Sequence, residues 1–104
     1  MEETLNKISE LIERYESGTW QSVANLRIIL RELSTYNYRL TKFNIEYFQD
    51  HNAVQYKHKG TVSAGLILAN EQVPELRMTR KILFATSKVI DAVRSEIAIL
   101  RTEN

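Results

Sequence analysis

An unbroken helical pattern from Trp20 to Lys59 constrains the fold of this chain more than any other feature of its sequence. Apolar residues recur there at alternating gaps of three and four, and no proline or glycine interrupts them before Gly60. This period is typical of a helix that packs lengthwise against another helix. The helix would be roughly 60 Å long at 1.5 Å per residue. Its apolar seam consists of Val23, Leu26, Leu30, Leu33, Asn37, Leu40, Asn44 and Tyr47, widened by Ile29, Tyr36 and Phe43.

A second stretch, residues 74–103, carries the same period. Pro74 suits the first turn of a helix, where a missing N–H costs little. Two seams of equal period predict that the two helices pair in opposite directions as a coiled-coil-like hairpin. The second seam consists of Leu76, Thr79, Leu83, Thr86, Ile90, Val93, Ile97 and Leu100.

The polar residues within the seams predict the register of this pair. A turn at residues 60–63 would set Asn44 opposite Thr79 and Asn37 opposite Thr86. Matched polar layers of this kind fix the register of paired helices, whereas a buried amide without a partner costs a few kcal/mol. The alternative is that both asparagines face solvent or a neighbouring subunit.

Two shorter segments accompany the long helices. Residues 1–18 predict a short N-terminal helix, because apolar residues recur at helical spacing between positions 4 and 17. Gly18 suits the left-handed position that ends this helix, and Thr19 suits the N-cap of the next one. Residues 60–73 form the turn or tip, where Thr61 to Asn70 fits a short helix, the start of the next helix, or an apolar loop. Gly65 weakens the helical alternatives.

The four segments, residues 1–18, 19–59, 60–73 and 74–103, predict one domain, since 104 residues suffice for one modest core. A single proline and three glycines argue against a turn-rich β fold. The predicted fold class is therefore all-α: a long antiparallel helical hairpin with a short N-terminal helix. Apolar residues also lie off the seams, and we expect them between copies of the chain in an oligomeric helical bundle. These interface residues are Ile28, Ile45, Phe48 and Ile99.

The sequence contains no motif of an enzyme, a metal site or a membrane protein. Cysteine is absent, which fits a reducing cytoplasm. His51 and His58 are seven residues apart, too far for a zinc-binding pair on one helix. No apolar run approaches the roughly 18 residues of a membrane span, and no signal peptide begins the chain. We therefore expect a cytoplasmic, non-enzymatic protein without catalytic residues, metal, cofactor or membrane partner.

Charge is divided unevenly along the chain. Residues 1–18 hold five glutamates against two basic residues, whereas residues 19–104 hold twelve basic and eight acidic residues. Basic residues and aromatic rings interleave at the far end of the predicted hairpin, a mixture that suits single-stranded nucleic acid. The alternative is that the rings are core and the lysines are merely solvated. The candidate nucleic-acid-binding residues are Arg39, Lys42, Tyr56, Lys57, His58, Lys59, Arg77, Arg80 and Lys81.

Three fragments in the later part of the chain resemble the bacteriophage UvsY-type recombination mediators. They are the aromatic pair Tyr47-Phe48, residues 69–73 (ANEQV), and residues 91–95 (DAVRS) in the last helix. The resemblance implies a small helical protein that assembles into rings, binds single-stranded DNA and helps to load a recombinase. It carries over no catalytic or ligand-binding residue.

Two functions from different classes follow from these patterns. The first is a helical module that binds single-stranded nucleic acid in phage-type DNA recombination. The second is a protein-only interaction or inhibitor module that docks on a partner protein through its apolar surface. A salt-dependent titration with a labelled oligonucleotide separates the two, because phosphate contacts release counterions.

Overall fold

The computed structural model describes residues 1–18 and 22–103. It contains four helices, and no strand occurs within these two ranges. The all-α prediction is therefore confirmed. The molecule is elongated, with extents of 63 × 24 × 19 Å, and none of its described helices is long and apolar enough to cross a membrane. The helices are α1 (Glu2–Glu16), α2 (Val23–Lys57), α3 (Val62–Gln72) and α4 (Glu75–Glu103).

Local sequence explains where α1 ends and α2 begins. Gly18 has a φ of +70°, the left-handed conformation predicted for it after the end of α1. The Ser22 hydroxyl accepts a hydrogen bond from the Asn25 backbone N–H at 3.2 Å, which caps α2. Helix α2 therefore begins at Val23, after the predicted start at Trp20. Thr19, the predicted cap, and Trp20 lie outside the described residues.

Of the three alternatives for the tip, the structure has the separate short helix, α3. The Thr61 hydroxyl accepts from the Ala64 backbone N–H at 3.1 Å and begins it. Gly65 packs against the end of α2, where an added Cβ would lie 3.2 Å from the Gln55 carbonyl oxygen. The glycine that weakens α3 as a helix thus allows its close approach to α2.

Helix α2 is the helix on which the other three pack. Helix α4 lies along it, α1 packs beside its first half, and α3 packs beside its second half. Most members of the buried core on α2 and α4 belong to the two predicted seams. The core consists of Ile8, Leu11, Leu26, Ile29, Leu33, Leu40, Ile90, Val93 and Ile97.

The predicted polar layer between α2 and α4 forms at Asn44 and Thr79. The Asn44 side-chain amide donates a hydrogen bond to the Thr79 hydroxyl at 2.8 Å, and that hydroxyl donates to the Leu76 carbonyl at 3.1 Å. Nearer the start of α2, Asn37 shares a groove with Ile90. Helix α4 therefore runs opposite to α2, in the register that the Asn44–Thr79 pair predicts.

The second predicted polar layer, Asn37 with Thr86, has no such hydrogen bond. The Thr86 hydroxyl donates instead to the Ile82 carbonyl of its own helix, at 2.7 Å. Threonine in a helix readily forms this bond to the preceding turn, which leaves no donor for Asn37. Asn37 Oδ1 is consequently buried without a hydrogen-bond partner among the described residues.

Replacing Thr79 with valine should destabilise the protein by about 1–3 kcal/mol, because it removes the hydroxyl that accepts the shorter hydrogen bond of the half-buried Asn44 amide. Thr86→Val is the matched control, since Thr86 is equally buried but bonds only to its own helix. We expect it to change stability by less than about 0.5 kcal/mol. Thermal unfolding followed by circular dichroism measures both. Equal losses in the two variants would contradict the role of the Asn44–Thr79 pair.

A hydrogen bond between the Tyr15 and Glu96 side chains links α1 to α4. Burial, a hydrogen bond to the Glu96 carboxylate and the charge of that carboxylate together raise the pKa of the Tyr15 phenol above its ordinary value of 10.0. The folded protein therefore holds this proton more tightly than the unfolded chain does. The resulting stabilisation is complete below the unfolded-state pKa and is lost as the pH rises through the folded-state pKa.

Tyr15→Phe should reduce the loss of stability at alkaline pH. All other titratable groups are the same in the two proteins, so the difference between their pH profiles isolates the phenol. Urea midpoints measured between about pH 9 and pH 11 should fall more steeply for the wild-type protein than for the variant. Parallel pH profiles would show that the Tyr15–Glu96 contact contributes nothing to the pH dependence of stability.

Candidate nucleic-acid interface

The structure places the nine predicted nucleic-acid-binding residues on the surface in three groups. Eight are exposed, and His58 is half-buried. The groups are Tyr56, Lys57, His58 and Lys59 at the end of α2; Arg39 and Lys42 at the middle of α2; and Arg77, Arg80 and Lys81 in the first turns of α4.

The first group borders an open groove of about 420 Å³ between the end of α2 and α3. Lys57, His58 and Lys59 line this groove together with Leu68 from α3. The Tyr56 ring is 82% exposed. Two ammonium groups and an exposed ring within four residues at the end of α2 offer a phosphate contact and a stacking surface.

Acidic residues separate the first group from the second. Residues 42, 46, 50, 53 and 57 follow one another at spacings of one helical turn, so they share a side of α2. Glu46 and Asp50 therefore lie between Lys42 and Lys57, which are roughly 22 Å apart along the helix. The structure does not join the two groups into one continuous basic track.

The third group, in contrast, comes into contact with α2. The Arg80 guanidinium lies 5.6 Å from the centroid of the Phe48 ring, within the range of a cation–π interaction. Phe48 was predicted as an interface residue between copies. Within one copy it lies beside the basic start of α4.

Three other aromatic rings among the described residues are in cation–π contact with a basic side chain. Phe84 and Lys88, which sequence reasoning missed, form such a pair on α4, and the Phe84 ring is 65% exposed. Their spacing of four residues was the available signal, because side chains one turn apart meet on a helix. The pairs and their centroid distances are Lys88–Phe84 at 4.4 Å, Lys42–Tyr38 at 4.9 Å and Arg39–Tyr36 at 5.1 Å.

Several of these residues lie on one side of the α2–α4 pair. A shallow groove there is lined by Tyr38 from α2 and by Asp91 and Arg94 from α4. The Asp91 carboxylate lies 3.9 Å from the Arg94 guanidinium, so it neutralises part of the positive charge. We call this surface the α2–α4 face and define it by Tyr38, Ile45, Phe48, Arg80 and Arg94.

The four residues predicted between copies are exposed in the single chain, but they do not form one patch. Ile45 and Phe48 are neighbours on the α2–α4 face. Ile28 lines a separate groove with Tyr36, and Ile99 lies near the end of α4. Their burial between copies stays a prediction.

The histidines of α2 have different surroundings. The His51 ring is buried, and its Nε2 lies 2.8 Å from Asn70 Oδ1 on α3. This contact links α2 to α3 and so helps to position the tip. Within residues 1–18 and 22–103, no group of three or more histidine, aspartate or glutamate side chains is placed to hold a metal ion.

No protein-family model, curated protein or solved structure matches this chain. The resemblance to the UvsY-type mediators therefore stays a prediction.

Asn70→Ala should loosen α3, because it removes the hydrogen-bond partner of the buried His51 ring. We expect a loss of about 1 kcal/mol and faster amide hydrogen exchange confined to α3. Gln72→Ala is the control, since Gln72 is an exposed residue of the same helix. Unchanged exchange in Asn70→Ala would show that this contact does not hold the tip.

Proposed function

We propose that this protein is a non-enzymatic helical module that binds single-stranded nucleic acid in phage-type DNA recombination. The observation that supports it most is the placement of cations over exposed aromatic rings of α2 and α4. The contacts of Arg80 with Phe48 and of Lys88 with Phe84 are the clearest examples.

The chemistry of this surface favours single strands over duplexes. Lysine and arginine neutralise phosphates whatever the base sequence. Exposed rings gain about 1–3 kcal/mol for each base that stacks on them, and this stacking requires unpaired bases. Tyr56 at the end of α2 and Phe84 on α4 are exposed enough to stack in this way. The nine residues of the three groups are the proposed phosphate and base contacts.

The proposed module is a coiled-coil-like hairpin of α2 and α4 that assembles with further copies. Ile28, Ile45, Phe48 and Ile99 are proposed to lie between copies, because each exposes apolar surface to water in the single chain. The resemblance to the UvsY-type mediators, which form rings on single-stranded DNA, supports this assembly and a place in the bacterial or phage-infected cytoplasm.

A protein-only interaction or inhibitor module is the alternative, and α3 favours it. Residues 60–70 contain no charged residue, and α3 exposes Val62, Leu66 and Ile67. An exposed apolar surface of this kind suits a protein partner better than a phosphate backbone.

Replacing Lys57 and Lys59 with alanine should weaken oligonucleotide binding for every base sequence. Each lost phosphate contact should flatten the log–log dependence of affinity on salt by roughly 0.7. Tyr56→Ala should instead cost about 1–3 kcal/mol with little change in that slope. Fluorescence anisotropy with a labelled single-stranded oligonucleotide measures both effects.

Lys7→Ala is the control for the loss of a positive charge. Lys7 lies on α1, where its ammonium group is 3.6 Å from the Glu10 carboxylate, and we expect unchanged oligonucleotide binding. If the wild-type protein does not bind the oligonucleotide even at about 50 mM salt, the nucleic-acid proposal is wrong. The protein-partner alternative would then be preferred.

A further inference from the structure

A second groove, of about 390 Å³, opens between α1 and α4. Its walls are apolar: Leu5, Ile8 and Ile12 come from α1, and Ile82 and Ala85 come from α4. Helix α1 packs chiefly on α2, so the space between α1 and α4 stays open. An open apolar groove of this size is a docking surface for an apolar side chain.

The edge of this groove is acidic. Glu13 and Glu16 line it beside the apolar residues, and residues 1–18 as a whole carry five glutamates against two basic residues. A matching partner surface therefore presents an apolar side chain beside basic residues.

The chain itself carries such a surface on α4. Arg77, Lys81, Phe84 and Lys88 follow one another at intervals of four, three and four residues, so they share one side of the helix. We call these four residues the α4 stripe. The Phe84 ring is exposed, and the Lys88 ammonium group lies over it at 4.4 Å.

The stripe and the groove of one copy cannot meet. Successive residues of a helix point 100° apart, so Phe84 and Ile82 point to nearly opposite sides of α4. Ile82 lines the groove, and Phe84 therefore faces away from it. A contact between the two surfaces requires two copies of the chain.

We propose that the acidic apolar groove between α1 and α4 binds the α4 stripe of a second copy. Phe84 of one copy would enter the apolar groove, and Lys81 and Lys88 would face Glu13 and Glu16 of the other copy. The two surfaces differ, so the contact is head-to-tail. Successive contacts close into a ring where the rotation between copies permits it, and otherwise leave a free groove and a free stripe at the ends.

This inference rests on the assembly part of the proposed function and adds a second contact between copies, distinct from the one proposed for Ile28, Ile45, Phe48 and Ile99. Arg77 and Lys81 belong both to the stripe and to the proposed nucleic-acid contacts. A stripe that is docked in a groove cannot bind phosphates, so oligonucleotide and second copy compete for it. Excess oligonucleotide should therefore reduce the association of the wild-type protein.

Two charge-reversal variants test the proposal by light scattering after size-exclusion chromatography. The groove variant is Glu13→Lys with Glu16→Lys, and the stripe variant is Lys81→Glu with Lys88→Glu. All four residues are exposed, and circular dichroism checks that each variant folds. We expect the wild-type protein to associate and each variant alone to be a 12.1 kDa monomer.

Mixing the two variants gives the decisive result. The intact stripe of the groove variant should dock in the intact groove of the stripe variant, and the reversed stripe of the second should dock in the reversed groove of the first. The mixture should therefore associate although neither variant does so alone. A single chain carrying all four reversals should associate again, because its charges are complementary once more. A mixture that stays monomeric, or a wild-type protein that is monomeric at micromolar concentration, overturns the proposal.

Glu3→Lys with Glu10→Lys is the matched control. It makes the same change in net charge on α1, but neither residue lines the groove. This control should associate as the wild-type protein does, and a loss of association in it would overturn the proposal. The groove variant should retain oligonucleotide binding, because its reversed charges lie outside the proposed nucleic-acid contacts. A wild-type protein that associates but does not bind oligonucleotide would refute the nucleic-acid function and leave the proposed contact between copies standing.

Discussion

The burial of one side of α2 is the constraint on which the rest of the structure depends. Leu26, Leu33 and Leu40 on this side are completely buried, and α1, α3 and α4 all pack on α2. Isolated helices as short as α1 and α3 are marginal in water, so their stability derives from this packing. Gly65 and the contact of His51 with Asn70 hold α3 in place.

This arrangement also determines which surfaces remain open. Helix α1 places Glu13 and Glu16 at an apolar groove, whereas cations lie over aromatic rings of α2 and α4. One molecule thus presents two surfaces of opposite charge, each with apolar groups. Such surfaces attract partners of complementary charge, and both the proposed nucleic acid and the proposed second copy meet that condition.

The two asparagines of the α2 seam show how the surroundings decide the effect of a buried amide. Asn44 meets a threonine hydroxyl that is free to accept, and the pair sets the register of α2 against α4. Asn37 Oδ1 finds no donor, because the nearby Thr86 hydroxyl bonds to its own helix. An unpaired buried acceptor costs about 1–3 kcal/mol, so Asn37 lowers stability where Asn44 supports it.

The spacing of residues along the chain by itself determined the two long helices, the left-handed Gly18 and the pairing of Asn44 with Thr79. The two long helices and Gly18 depend on periodicity and on local backbone preference, which a short stretch of sequence records. The pairing of Asn44 with Thr79 follows from the sequence because two seams of equal period carry polar residues at matching positions. Only the tertiary structure decided that α3 is a helix, that Arg80 meets Phe48, and which side of α4 faces the α1 groove. Those features depend on contacts between helices distant in sequence, where packing outweighs local preference, as it does at Gly65.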